Sequence, residues 1–168
     1  MDLLKLAALD EEDLAVISAH LQDAAVKMED IAFLPKEKRF AMCVRRFDWE
    51  GEPGDPPRRR LTGLHFECVQ GVRVRNMDPA RRDIVLNLLA VLFEPTEGPS
   101  GCVTLIFSDD RAVRLEVECI EAQMRDMGPV WEAECRPEHV EILGSLGDVQ
   151  TPATTNPANQ RPAIKDQA

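Results

Sequence analysis

Two short runs hold the residue types that most readily do chemistry: Glu67-Cys68 and Glu118-Cys119. Paired thiolates and carboxylates form a ligand set for a metal ion, and a thiolate beside a base is a nucleophile. Strand alternation argues the other way. Cys68 follows Leu64 and Phe66 at a spacing of two, and Cys119 follows Val113, Leu115 and Val117. Each Glu falls between them, so one extended strand cannot turn both side chains toward one ligand. The expectation is two cysteines turned inward as small apolar side chains, with no metal and no cofactor. His65 shares the polar side of its strand with Glu67, an arrangement that orients an imidazole for base catalysis. No Ser or Cys is placed by sequence to complete a triad, and no catalytic residue is assigned. His20 falls near a helix end, where the dipole favours it. Asp109-Asp110 reads as a turn. The chain has no EF-hand loop, Gly-rich phosphate loop, GxSxG elbow or HExxH helix.

The arginines are the stronger sign of binding. Ten of them, from Arg39 to Arg82, crowd one stretch of a chain whose net charge is −10. Arginine suits bidentate contacts to carboxylate or phosphate. Arg45, Arg73 and Arg75 are expected on the outer face of one meander, with Trp49 in a loop beside Arg58, Arg59 and Arg60. That set is the expected binding surface, for an acidic protein partner, for an anion or small metabolite, or for single-stranded nucleic acid. The alternative is that these side chains pair with Glu116, Glu118 and Glu121 and form a solvated charged surface. A small enzyme using His65 with a carboxylate is the third reading.

These residues need elements to position them. Asp10 caps a helix whose first turn is acidic, with Leu14, Ile17, Leu21 and Ala24 on one face. From Val26 the apolar period falls to two, the strand signature. Strands are expected near residues 30–34, 39–47 and 59–69, with a Pro/Gly-rich loop from Glu50 to Pro57 that cannot be a central strand. Gly71 marks a bulge. A second set is expected at residues 86–94, 102–107 and 112–120, after a turn at residues 78–83. Residues 121–127 fit either a bulged strand or a short helix. The two sets echo each other: Phe33-Leu-Pro35 and Phe93-Glu-Pro95, Cys43-Val44 and Cys102-Val103, the two Glu-Cys runs, Arg75-Asn-Met77 and Arg125-Asp-Met127. Ordered matches of this kind suggest an internal duplication with repeats at about 10–77 and 78–127.

The expected fold class is therefore β-rich α+β, with two three-stranded antiparallel meanders packed as a sandwich or open barrel and an N-terminal helix. Residues 1–142 form one domain and residues 143–168, rich in Pro, Thr, Asn and Gln, a disordered tail. The acidic balance disfavours nucleic acid and anionic lipid. No apolar run is long enough to span a membrane and no secretory leader is evident. Five cysteines without a CxxC pair suit reduced thiols in a cytoplasm. An unpaired sheet edge would accept a protein partner or a second copy of the chain.

The phrases LKLAALDEEDLAVISAHLQD at 4–23, FDWE at 47–50 and RLEVECIEA at 114–122 resemble an alphaproteobacterial domain family of unknown function, DUF2948. The resemblance covers about residues 3–131. It implies a bacterial, cytoplasmic setting and no established activity, and it transfers no catalytic residue.

Overall fold

The computed structural model describes residues 3–48 and 58–128. Strand β1 (Lys5–Ala8) leads into helix α1 (Glu11–His20). The Asp10 carboxylate accepts the Asp13 amide at 2.8 Å, and Glu11, Glu12 and Asp13 fill the first turn where the dipole favours anions. Leu14, Ile17 and, just past the helix, Leu21 are buried where α1 lies on β1 and β6.

Eight more strands follow: β2 (Ala24–Leu34), β3 (Arg39–Phe47), β4 (Arg59–Phe66), β5 (Val69–Arg75), β6 (Val85–Pro95), β7 (Gly101–Phe107), β8 (Arg111–Val117) and β9 (Ala122–Asp126). All pairings are antiparallel, in one unclosed sheet of order β1-β9-β4-β3-β2-β6-β7-β8-β5. Both expected meanders are there, β2-β3-β4 and β6-β7-β8, joined through β2 and β6. Residues 24–27 of β2 pair with β6 on one edge; on the other, β3 pairs with residues 25–26 and, after a register shift, with residues 31–34. A matching shift interrupts β6 between Leu88 and Ala90, where the Ser18 hydroxyl of α1 accepts the Val91 amide at 2.9 Å. Such shifts bend the strands locally and increase the twist of the sheet. Phe40, Phe66, Phe107, Leu64, Leu88 and Leu105 are the large side chains at its centre.

The flanking strands are exchanged. β5 follows β4 in the chain but pairs with β8, and β9 follows β8 but pairs with β4. Each exchange runs through one of the Glu-Cys runs. The expected strands at 59–69 and 112–120 therefore stop early, at Phe66 and Val117, and Cys68 takes a left-handed backbone with φ 60°. Glu67-Cys68 and Glu118-Cys119 are bends, and the phase that would have carried both thiols into the core is lost there.

Other expectations meet a definite outcome. Residues 122–126 are strand, settling the strand-or-helix alternative, and Gly71 sits at a register shift. β1 was not foreseen. It gains its strand form by pairing with β9, far away in sequence. Cys68, Cys102 and Cys119 are free. Among the described residues no helix is long and apolar enough to cross a membrane. The expected tail and Trp49 lie outside the described residues.

Candidate functional site at the strand crossing

The two bends meet. The Glu67 amide donates to the Glu121 carbonyl at 2.8 Å, and the Glu118 amide donates to the Cys68 carbonyl at 3.0 Å. This backbone lacing fixes two thiols and one carboxylate side by side. The ligand atoms of Cys68, Cys119 and Glu121 all lie within 4.8 Å of one another, and the Cys68 thiol donates to Glu121 Oε1 at 3.7 Å. Both thiols are half-buried, not core, which corrects the expectation drawn from strand phase. Partial burial, then the hydrogen bond and charge of Cys119, then Glu121, push the Cys68 thiol up to about 11. It holds its proton at neutral pH, so the free thiol is no ready nucleophile.

Glu67 accepts from His65 Nδ1 at 2.7 Å and Arg39 Nε at 2.8 Å. Glu118 reaches Lys38 at 3.4 Å and the Gln70 amide. Lys38, Arg39, His65, Glu67, Cys68 and Glu121 line one shallow cavity beside the crossing. His65 also lines a second groove, of about 270 Å³, across β2, β3, β4 and β9. Its wall is apolar at Ala41, Gly63 and Met127, polar at His65, Gln123 and Arg125, and acidic at Asp30. Gly63 makes the room: a Cβ there would stand 2.9 Å from Met127 Cε. Arg125 is exposed and makes no ion pair among the described residues.

The expected arginine surface is divided. Arg45 and Arg58 to Arg60 lie at one end of β3 and β4, while Arg73 and Arg75 lie on β5, the far edge of the sheet. The bend at Glu67-Cys68 carries β5 away from the meander it was expected to extend. Most of the set is engaged. Arg59 donates to the carbonyls of Asp23 and Arg45 at 3.1 and 2.9 Å and lies 4.1 Å over the Phe47 ring. Arg60 and Arg58 reach the Asp48 carboxylate at 3.0 and 3.9 Å. Arg73 pairs with Glu116 at 3.5 Å, one of the expected acids, and Arg75 with Asp110 at 3.3 Å. Arg45 makes no ion pair among the described residues.

A family model described as a protein of unknown function (DUF2948) matches residues 4–139. The chain belongs to that family. No curated protein matches the chain. No solved structure matches it. What defines this DUF2948 chain internally is a polar cluster that sequence reading missed. Arg46 is fully buried and grips Asp126 with two bonds, Nε to Oδ1 at 2.9 Å and Nη2 to Oδ2 at 2.8 Å. Asp126 also accepts from the Thr62 hydroxyl at 2.7 Å and the Leu4 amide at 3.0 Å. Burial alone would raise this carboxyl; the Arg46, Leu4 and Thr62 hydrogen bonds outweigh it and hold Asp126 below the usual carboxylate range. The signal was in the sequence: Arg46 falls in phase with Phe40, Met42 and Val44, and Asp126 in phase with Ala122 and Met124. Opposite charges in the apolar phase of two strands point to a buried pair.

Proposed function

We propose that this protein is a non-catalytic binder of a small anionic molecule, held in the groove across β2, β3, β4 and β9. Arg125 carries the reading: an exposed guanidinium with no ion pair among the described residues, on the rim of a groove with an apolar wall. A carboxylate or phosphate would meet Arg125, with Gln123 and His65 offering hydrogen bonds, while an apolar portion lies against Ala41, Gly63 and Met127. A ligand that binds only the folded state raises the melting temperature. Thermal-shift measurements with aliphatic dicarboxylates, aromatic carboxylates and nucleoside monophosphates test this. At least one class should stabilise the wild-type protein and not Arg125→Gln, while Arg73→Gln responds as wild type does. No shift with any class, or an unchanged shift in Arg125→Gln, would end it.

A second reading is a macromolecular partner, or a second copy of the chain, along β5. The favouring observation is that β5, on one edge unpaired among the described residues, carries Arg73 and Arg75. Their exposed pairs with Glu116 and Asp110 are weak enough for a partner's carboxylates to replace. Salt-sensitive co-elution lost in Arg73→Glu/Arg75→Glu is its expected sign. The net charge keeps nucleic acid disfavoured in both readings.

We also read the chain as one domain to about residue 142, built of two repeats in a bacterial cytoplasm. The symmetric strand order supports the repeats.

A further inference from the structure

We infer that Cys68, Cys119 and Glu121 form a site for one thiophilic divalent cation, of which zinc is the type. Independently of the anion groove, three observations converge on it. The donors are two thiols and a carboxylate, a set whose sulfur content selects Zn²⁺ over Mg²⁺ or Ca²⁺. Their atoms lie within 4.8 Å of one another. Tetrahedral zinc with sulfur at about 2.3 Å and oxygen at about 2.0 Å needs separations of about 3.5–3.8 Å, so side-chain rotation of under about 1 Å closes the site around an ion. The backbone that carries them is fixed by the reciprocal hydrogen bonds between the bends, so little order remains to be imposed on binding. The cavity beside Cys68 and Glu121 leaves access for the ion and room for water as the fourth ligand.

The balance is simple. Both thiols bind as thiolates and two protons leave to solvent as the dication enters. With the Glu121 carboxylate the occupied site carries one net negative charge.

Cobalt(II) titration of the full-length protein, under nitrogen and without added thiol, tests the site. One equivalent should bind with a thiolate-to-cobalt charge-transfer band, and zinc should displace it. Cys68→Ser/Cys119→Ser should abolish the band, Glu121→Gln should weaken binding about tenfold or more, and Cys102→Ser should leave it unchanged. Zinc should also protect Cys68 and Cys119 of the wild-type chain from alkylation, a readout that stands even where a variant fails to fold. Absence of the band in the wild type, its persistence in the double serine variant, or a Cys68–Cys119 disulfide formed in preference to metal binding would each overturn the site.

Discussion

At the scale of single residues, the Arg46–Asp126 pair decides more than any surface arginine. Both side chains are essentially out of water, at 1% and 0% exposure. Such a pair adds little net stability compared with apolar residues, but removing one partner strands the other. Arg46→Met should therefore cost about 3–5 kcal/mol in urea unfolding. Loss of an exposed pair such as Arg73–Glu116 should stay within about 0.5 kcal/mol. The depressed Asp126 carboxyl also sets a pH dependence. Its folded value lies below its unfolded one, so its contribution is complete above the ordinary carboxylate range and is lost as pH falls through the folded value. Wild-type stability should decline below about pH 4, with a flatter decline in Asp126→Asn. An identical acid slope in the two proteins would contradict the assignment.

At the scale of elements, turns and bends carry the positive-φ residues that let strands stop and change partner. Asp109 and Asp110, in the three-residue connection 108–110 from β7 to β8, take φ 63° and 58°, a left-handed backbone that favours glycine. Asp110→Gly should raise stability by about 0.5 kcal/mol, read from the urea midpoint, because glycine adopts this backbone without steric cost. Its one ion pair, with Arg75, is too exposed to offset the gain. Cys68 adopts the same conformation at φ 60° in the first strand exchange. There the bend places a thiol against the second bend, so the strain falls on a residue that the candidate site uses.

At the scale of the whole molecule, the exchange of β5 and β9 makes each half incomplete alone. Residues 1–77 supply β4 without its partner β9, and residues 78–168 supply β8 without β5. β1 needs β9 as well. Cleavage at the exposed turn near Asp78 should therefore give two fragments that each lack a cooperative melting transition in circular dichroism. Mixed, they should recover the strand signal and a single transition. A first fragment that folds as a monomer would show that the exchange is dispensable. Pairings this distant in sequence also impose a large loop-closure cost before they contribute, so slow folding is expected for the intact chain.

Much of this architecture was legible in one dimension. The helix cap at Asp10, both meanders, the Asp109-Asp110 turn and the Gly71 irregularity all follow from local propensity and a period of two. These are short-range rules written into neighbouring residues. Periodicity can be extrapolated only while a strand continues, and it failed where Cys68 turned left-handed. What lay beyond that bend depended on contacts between residues 67–70 and 116–121, about fifty positions apart, and on the long reach of Arg46 to Asp126. Pairing across such distances is chosen by which arrangement buries both apolar faces at once. Only the tertiary fold could bring the two thiols together and set Arg73 and Arg75 apart from Arg45.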